Sequence, residues 1–511
     1  MRHNGIPAAL ALGALVFLLH LAVNLVTPYG FHRDEFLYLA MAQHLQLWSM
    51  DFPPFIAMAA LATLELLGGS LFAVRFLPAV AAASLVLLTM VATRRLGGGA
   101  IAQVTAGLAV GLSPLFLRSG NLLQPVVFDQ LWWTCALLAL LHLSQLERPA
   151  GARAPRAWLL LGAALGIGLL TKFSIAFIGV GITTAVLLTP LRHHLLTPWP
   201  WAALLLALTI GSPSIVGQVQ LGYPVTTQMQ DLQASQLDRI TPLRFLLGQW
   251  DNFHLVLLLA VAGLVFLLRG PHRAVGIACL AAFGVVMLLR GKPYYIAPIF
   301  PLLFAAGAVW LEGVASRRRH VAARRLIRWA PVAVIVAFGA VAFPVGVPIL
   351  PPEQLVRWTR AIGATSTTNT GEAIALPQDF ADMLGWDEQV RATARAFASL
   401  SPAEQREVVI LGTNYGRAGA HDHLGTALGM PPAIAPVGSY WFWGPGQRPG
   451  NVMIVIGSNR EGLVALFDSV ALAGRVTGSW RVPEERDVPI WIGRGPHRTL
   501  QEVWPSFERQ N

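Results

Sequence analysis

The chain has 511 residues, of which 55% are hydrophobic and only 12% are charged, and its formal net charge is +11. Soluble globular domains carry about 25% charged residues, so this composition excludes an ordinary soluble protein and predicts several membrane spans. The positive charge does not predict nucleic-acid binding, because most basic residues lie between apolar runs, where they act as topology signals.

The first apolar run, from Ile6 to Val26, follows Arg2 and His3. It is longer than the apolar region of a usual signal peptide and lacks a small-x-small cleavage pattern, so we expect a retained span. The segment Phe55 to Leu67 is too short for a span, and we expect it to lie at the interface as an amphipathic helix. About eleven runs are long enough to cross a bilayer. They start at Ile6, Leu71, Ile101, Pro125, Trp158, Ser174, Trp199, Leu255, Ala274, Ile296 and Trp329.

The basic residues predict an orientation for these spans. With the N-terminus inside, the inner segments hold 15 lysines and arginines, and the outer segments before the tail hold 8. Cytoplasmic loops carry the excess of basic residues, so we expect a cytoplasmic N-terminus in the cell (inner) membrane. An odd number of spans then places the C-terminal tail outside.

The sequence divides into two parts of different composition. Residues 1–349 form the predicted membrane domain, with a first outer loop at 27–70. Residues 350–511 have ordinary charge density and short β-type runs such as 408–411 and 452–456, which predict an extracytoplasmic α/β domain. Cys135 and Cys279 lie in apolar runs, so we expect reduced core residues and neither disulfides nor a cysteine metal site.

Ionisable and aromatic residues from separate parts of the chain converge on the predicted outer face. Such residues beside membrane spans are candidates for a functional site. They are His32, Arg33, Asp34 and Glu35 with Asp51 in the first outer loop, Asp129 near the outer end of the fourth span, Lys172 between the fifth and sixth spans, and Arg290, Lys292, Tyr294 and Tyr295 before the tenth.

Each of these residues also has an ordinary structural interpretation. Asp34 or Glu35 could cap a helix, and Asp129 could pair with a neighbouring cation. The lysines and Arg290 could reach to lipid headgroups, and the tyrosines could belong to an aromatic belt. His32 is a polar loop residue rather than a metal ligand on this interpretation. The prediction of a site therefore depends on their shared membrane face.

This set of side chains suits one kind of chemistry. A carboxylate at the membrane surface can act as a general base on an attacking hydroxyl. Lysine and arginine at headgroup depth can bind a lipid phosphate and stabilise its charge as it leaves. The residues therefore predict sugar transfer from a lipid-phosphate donor. Adjacent helical residues do not share a face, so Asp34 and Glu35 are expected to have different roles.

The ordered motifs of the chain resemble bacterial glycosyltransferase family 39, which is similar to the protein O-mannosyltransferases and the lipid A aminoarabinose transferases. Four motifs carry the resemblance in the membrane domain: His32-Arg33-Asp34-Glu35, Asp51-Phe52-Pro53-Pro54, Gly168-Leu169-Leu170-Thr171-Lys172-Phe173-Ser174 and Lys292-Pro293-Tyr294-Tyr295-Ile296-Ala297-Pro298. Two more lie in the tail: Asn414-Tyr415-Gly416-Arg417-Ala418-Gly419-Ala420 and Ser439-Tyr440-Trp441-Phe442-Trp443-Gly444-Pro445.

The resemblance implies a GT-C fold with an active site at the outer leaflet. It implies inverting transfer from a polyprenyl-phosphate sugar to a lipid, polysaccharide or protein acceptor. Asp34 matches the catalytic base and Asp129 a second acidic position, while Lys172 and Lys292 fall where the donor phosphate would bind. Glu35 remains a supporting candidate. The resemblance names no particular cofactor, and a divalent cation held by Asp34, Glu35 and Asp129 is left open.

Two other classes of function compete with this interpretation. A transporter or flippase for lipid-linked saccharides would show repeated halves and ionisable groups near mid-membrane. Here the ionisable groups lie at span ends, and a large domain follows the last span. A structural or sensor protein would leave the cluster around Asp34 and Lys292 unexplained. The transferase is favoured.

Overall fold

The computed structural model describes residues 5–146 and 153–510. The basic residues at positions 2, 3 and 148 lie outside these ranges. The first part of the chain is helical, with α1 (Gly5–Val26), α2 (Arg33–Gln43), α3 (Phe55–Leu67), α4 (Leu71–Val74), α5 (Phe76–Arg95), α6 (Ala100–Gly111), α7 (Pro114–Ser119) and α8 (Pro125–Ser144).

The helices continue after the undescribed segment up to residue 346. They are α9 (Arg153–Thr171), α10 (Ile175–Leu188), α11 (Trp199–Gln220), α12 (Pro224–Ser235), α13 (Pro242–Phe253), α14 (Leu257–Arg269), α15 (Arg273–Leu288), α16 (Phe300–Ser316) and α17 (Val321–Gly346). Proline stands in the first turn of α7, α8, α11, α12, α13 and α16. Backbone N–H groups in the first turn make no intrahelical hydrogen bond, so the N–H that proline lacks is not needed there.

Within the described residues, 8 helical segments are long and apolar enough to cross a membrane. A ninth candidate joins Ile175–Leu188 to the 3₁₀ turn Pro190–Leu196 through a bend of 96°. The predicted multi-span helical membrane protein is confirmed. The runs expected to start at Ile101 and Ala274 form the shorter apolar helices α6 and α15, and Phe55–Leu67 is a third short helix.

The tail contains all of the β-structure found among the described residues. Its elements are α18 (Pro352–Ala361), β1 (Ser366–Thr367), β2 (Ala373–Ile374), α19 (Gln378–Ala381), α20 (Trp386–Ala398), α21 (Pro402–Glu407), β3 (Val409–Gly412), α22 (Tyr415–Ala420), β4 (Ala433–Ile434), α23 (Ser439–Trp443), β5 (Val452–Ile456), α24 (Arg460–Val464), β6 (Phe467–Thr477), β7 (Asp487–Pro496) and α25 (Leu500–Val503). Five strands form a mixed sheet in the order β4-β3-β5-β7-β6. Strand β3 runs parallel to its neighbours β4 and β5, and β7 runs antiparallel to its neighbours β5 and β6.

A single hydrophobic cluster joins the first outer loop to this sheet. Phe36 and Met41 of α2 and Ile56 of α3 are buried together with Ile410 of β3 and Ile454 of β5. Apolar burial of this kind is the main favourable contribution to folding. The tail is therefore packed directly on α2, the helix that carries Asp34.

The start of α2 is fixed by its own sequence. His32 is the N-cap, and its Nδ1 accepts a hydrogen bond of 3.1 Å from the Asp34 backbone N–H. Glu35 completes a capping box by accepting from the His32 backbone N–H at 2.8 Å. Two carboxylates in the first turn also favour a helix start, because the N-terminal end of a helix carries partial positive charge.

Candidate active site

The Asp34 carboxylate is held in one orientation from two distant parts of the chain. The Tyr415 hydroxyl, at the start of α22, donates to Oδ1 at 2.9 Å. The Gln124 amide, just before α8, donates to Oδ2 at 3.0 Å. The Asp34 side chain remains 28% exposed. It is therefore a fixed carboxylate that a second molecule can still reach.

Glu35 points the other way, into the protein, and is completely buried. Arg75 donates to both of its oxygens at 2.9 Å, from Nε to Oε1 and from Nη2 to Oε2. The backbone N–H groups of His32 and Leu123 donate at 2.8 and 3.0 Å. These four bonds tie the start of α2 to the segment before α8. Glu35 thus holds in place both Asp34 and the neighbouring Gln124.

Two lysines and two tyrosines form a second part of the site. The Nζ of Lys172, after α9, lies 4.6 Å from the ring centroid of Tyr295 and 5.6 Å from that of Tyr294. The Nζ of Lys292 lies 6.0 Å from the Tyr294 centroid. Neither lysine takes part in any ion pair found among the described residues. Both ammonium groups therefore lie on aromatic faces without a bound carboxylate.

Lys292 also connects this cationic group to Asp34. Burial and the charge of Lys172 lower the pKa of Lys292 to about 8, while Asp379 and Asp34 act in the opposite direction. Such effects require that the charges lie near one another. Asp34, Lys172, Lys292, Tyr294 and Tyr295 thus lie in one region of the structure.

Asp129 lies beneath the turn that carries Lys172. It is buried, accepts from the Trp133 indole at 3.0 Å and accepts from the Ser174 hydroxyl at 2.8 Å. Since Ser174 follows Lys172 by two residues, the bond from Ser174 anchors the turn between α9 and α10. Asp129 therefore positions Lys172 in this structure.

Asp51 joins the first outer loop to the tail. Its two oxygens accept from the Ser439 hydroxyl at 2.8 Å, and burial raises its pKa to about 6. Its backbone carbonyl accepts from the Gln218 amide at 2.6 Å. These contacts hold the loop between α2 and α3 against α11 and α23.

Asp379 and Asp382, which the sequence analysis did not select, also lie in the site. His32 Nε2 is 4.0 Å from Asp379 Oδ1 and 3.9 Å from Asp382 Oδ2. Arg33 Nη2 is 3.4 Å from Asp382 Oδ1, and Arg118 Nη1 donates to Asp379 Oδ2 at 3.2 Å. Burial raises the pKa of Asp382 to about 6. Both aspartates belong to the tail, far from His32 in sequence, and no local motif marks them.

Arg290 lies outside this group. Its guanidinium pairs with Asp238 at 3.3 Å, and the two side chains are 54% and 55% exposed. The structure therefore gives Arg290 an exposed loop contact and no contact with Asp34 or the lysines.

The three carboxylates considered for a divalent cation do not form a ligand set. No group of three or more histidine, cysteine, aspartate or glutamate residues suited to a metal occurs in the described ranges. Glu35 directs its oxygens at Arg75 and backbone N–H groups. Asp129 directs its oxygens at Ser174 and Trp133. Glu35 and Asp129 therefore direct their oxygens at different partners from those of Asp34.

Comparisons with known proteins agree with this architecture. Residues 51–216 match the model of a family described as dolichyl-phosphate-mannose-protein mannosyltransferase. No curated protein matches the sequence significantly.

Two solved structures have similar folds. One is ArnT from Cupriavidus metallidurans bound to undecaprenyl phosphate, with a TM-score of 0.61 and 17% identity over 95% of this chain and 97% of that one. The other is the archaeal oligosaccharyltransferase AglB from Archaeoglobus fulgidus, in complex with an inhibitory peptide and a dolichol-phosphate. Its TM-score is 0.52 and its identity 12%, over 83% of this chain and 64% of that one.

These findings show a multi-pass membrane protein with the GT-C fold, and the chain is similar to glycosyltransferases of that fold. Within that class, the chain is similar to ArnT and, over residues 51–216, to the mannosyltransferase family. The resemblance predicted from the sequence motifs is confirmed.

Proposed function

We propose that the protein transfers a monosaccharide from a polyprenyl-phosphate-linked donor to a hydroxyl acceptor, with Asp34 as general base. One observation carries the proposal: a fixed, partly exposed carboxylate lies near Lys292, and Lys292 shares the Tyr294 ring with Lys172. The ligands of similar structures support the donor class, since ArnT was solved with undecaprenyl phosphate and AglB with a dolichol-phosphate.

The reaction follows from the charges of these groups. The acceptor hydroxyl transfers its proton to Asp34 as its oxygen attacks the anomeric carbon of the donor sugar. The bond between that carbon and the phosphate oxygen breaks, and the electron pair leaves with the phosphate. Attack on the side opposite the phosphate inverts the anomeric centre. The products are a glycoside and polyprenyl phosphate.

Lys172 and Lys292 would bind the donor phosphate and stabilise the charge that develops on it. Positive groups placed in advance where charge develops lower the barrier more than groups that must reorient. The faces of Tyr294 and Tyr295 hold the two ammonium groups at fixed positions. A phosphate is a good leaving group, so no general acid is needed in this mechanism.

The remaining candidates act by positioning or by contact with the sugar. Glu35 fixes the start of α2 through Arg75, and Asp129 fixes the turn of Lys172. His32 and Arg33 lie beside Asp34, and Asp51 holds the first outer loop to the tail. Arg290 has no role in the proposal. Nor does a divalent cation, because the carboxylates do not converge.

We also propose that the N-terminus is cytoplasmic and that the site and the tail are extracytoplasmic, in the cell (inner) membrane. A cysteine test uses a Cys135→Ala/Cys279→Ala background with single cysteines at the exposed positions Arg318 or Arg460. An impermeant thiol reagent added to whole cells should label R460C and spare R318C. Labelling of R318C from outside would overturn the orientation.

The activity is tested by reconstituting the purified chain with a panel of polyprenyl-phosphate sugars and following loss of donor and release of polyprenyl phosphate. At least one donor should be consumed by the wild type and not by Asp34→Asn. A flippase would instead move donor across the vesicle membrane without cleaving it. Cleavage that Asp34→Asn leaves unchanged would remove Asp34 from the mechanism.

A further inference from the structure

Asp379 of the tail is a second accessible carboxylate beside the proposed base. Its side chain is 35% exposed, compared with 28% for that of Asp34. One histidine ring lies between the two carboxylates. His32 Nδ1 is 3.9 Å from Asp34 Oδ2, and His32 Nε2 is 4.0 Å from Asp379 Oδ1. The two carboxylates that another molecule can reach are thus separated by a single side chain.

The two oxygens of Asp379 differ in their partners. Oδ2 accepts a hydrogen bond of 3.2 Å from Arg118, at the end of α7. Oδ1 accepts no hydrogen bond from the described residues, and His32 Nε2, which faces it at 4.0 Å, is beyond hydrogen-bond range. That buried nitrogen also has no hydrogen-bond partner of its own. Asp379 therefore presents one partly exposed acceptor oxygen that the protein itself leaves unused.

The backbone on the C-terminal side of Asp379 is fixed against the start of α2. The Asp382 carbonyl accepts a hydrogen bond from the Arg33 N–H at 3.2 Å, and the Met383 carbonyl accepts one from the Gly30 N–H at 3.3 Å. Together with the bond from Arg118 to Oδ2, these contacts order the segment before any ligand arrives. A group that is already ordered loses little conformational freedom on binding.

Lys292 relates Asp379 to the proposed phosphate site. Burial and the charge of Lys172 lower the pKa of Lys292 to about 8, and the charges of Asp379 and Asp34 oppose this shift. Both carboxylates therefore lie near the ammonium group that is proposed to bind the donor phosphate. In the proposed reaction the sugar is bonded to that phosphate and is attacked by a hydroxyl held at Asp34. The sugar then lies between Lys292 and Asp34, beside Asp379.

We propose that Asp379 binds the donor sugar, with Oδ1 accepting a hydrogen bond from one sugar hydroxyl. This inference rests on the proposed function, because the sugar is that of the polyprenyl-phosphate donor. A neutral hydroxyl suits this oxygen better than a cationic group, since Arg118 already supplies the counter-charge of Asp379. A site that accepts a hydrogen bond from a hydroxyl rejects analogues that lack it. Asp379 is therefore a substrate-binding residue that contributes to the choice of sugar.

The test is equilibrium binding to the full-length protein in detergent, without acceptor. The probes are undecaprenyl phosphate and a panel of undecaprenyl-phosphate pentoses and hexoses. Asp379→Asn keeps the size of the side chain and can still accept from Arg118, but it no longer offers a charged acceptor at Oδ1. A hydrogen bond to a charged group changes affinity about ten- to a hundredfold. The variant should weaken at least one sugar-carrying lipid by this factor and should not weaken undecaprenyl phosphate.

Monodeoxy analogues of the affected lipid then identify the hydroxyl. One analogue should bind the wild type about ten- to a hundredfold more weakly than the parent lipid. The same analogue should lose nothing further with Asp379→Asn, because the residue and the hydroxyl form a single interaction. A purely structural role of Asp379 would instead give independent, additive losses for every analogue and would overturn the inference.

Two further variants control for structural effects. Asp387→Asn, at a tail carboxylate that pairs with Arg391 and is 63% exposed, should bind every probe as the wild type does. Arg118→Gln removes the partner of Oδ2 and should retain the preference for the same hydroxyl. Loss of that preference in Arg118→Gln would show that the ion pair, rather than Oδ1, is responsible.

The remaining outcomes separate this inference from the proposed function. Equal weakening of all lipids by Asp379→Asn, or of none, would overturn the inference. So would a change confined to the acceptor KM, which would place Asp379 at the acceptor. Failure of the proposed function would look different, because a sugar-carrying lipid would then bind through Asp379 but would not be cleaved in the activity assay.

Discussion

The Tyr415 hydroxyl donates a hydrogen bond of 2.9 Å to Oδ1 of Asp34 across 381 positions of sequence. Two glycines of α22 allow this approach. A Cβ at Gly416 would collide with the Arg33 side chain, and one at Gly419 would lie 2.8 Å from the Phe36 Cβ. The tail therefore supplies a direct contact to the proposed base.

Tyr415→Phe should lower kcat by about ten- to a hundredfold. The substitution removes a hydrogen bond to a charged group, which contributes about 1.5–3 kcal/mol, and leaves the ring in place. Tyr440→Phe is the matched control, because the Tyr440 hydroxyl donates to Asp422 and not to Asp34. Turnover measured with saturating donor should separate the two variants. Equal rates would mean that Tyr415 has only a packing role.

Asp34→Asn should abolish turnover while the protein stays folded. General-base catalysis contributes about 10²–10⁴-fold, and asparagine keeps the size of the side chain but accepts no proton. Asp238→Asn, at an exposed carboxylate paired with Arg290, should be fully active. Size-exclusion profiles and turnover numbers of both variants check this. An active, well-folded Asp34→Asn would exclude the general-base role.

Donor binding should weaken as pH rises through about 8. Lys292 has a pKa of about 8, lowered chiefly by burial and next by Lys172, so it is a cation below that pH and neutral above it. The sugar-phosphate diester keeps its negative charge throughout, so the donor KM should increase with pH.

Lys292→Arg should remove this pH dependence, because arginine stays protonated across the range. Lys292→Ala should raise the donor KM at all pH values, whereas Arg290→Ala should leave it unchanged. If pH changed only the acceptor KM, Lys292 would contact the acceptor and not the donor phosphate.

Arg75→Ala should destabilise the protein by about 3–5 kcal/mol, because it leaves the buried Glu35 carboxylate without its counter-charge. The control is Arg475→Ala. It removes a pair with Asp487 whose side chains are 46% and 56% exposed, and such pairs contribute about 0–1 kcal/mol. Thermal unfolding in detergent should separate the two variants clearly. Equal shifts would contradict a structural role for the Glu35–Arg75 pair.

The membrane fold could be predicted because its signals are local. Apolar runs long enough to cross a bilayer predict helices directly. The motifs around Asp34, Lys172 and Lys292 indicated the fold class through their resemblance to a known family. The number of spans was harder to predict from the sequence, since α6 and α15 are apolar but shorter than the candidate spans. Hydropathy alone does not fix where such a helix ends.

The site was only partly predictable, because some of its contacts are made across hundreds of residues. For Glu35 the sequence left open a helix cap and a supporting role in the site. The structure shows the cap, in a capping box with His32, and an ion pair with the distant Arg75 that no local motif marks. Asp379 and Asp382 carry no motif that separates them from surface aspartates. They reach His32 only through the packing of the tail on α2.

The hydrophobic cluster shared by α2, α3 and the tail sheet has a consequence for biosynthesis. Ribosomes add about 5–20 residues per second, so the 381 residues between Asp34 and Tyr415 take about 20 to 80 s to synthesise. During that time Phe36, Met41 and Ile56 lack their final partners. The newly made first loop therefore waits, with apolar surface uncovered, until the last third of the chain has been synthesised.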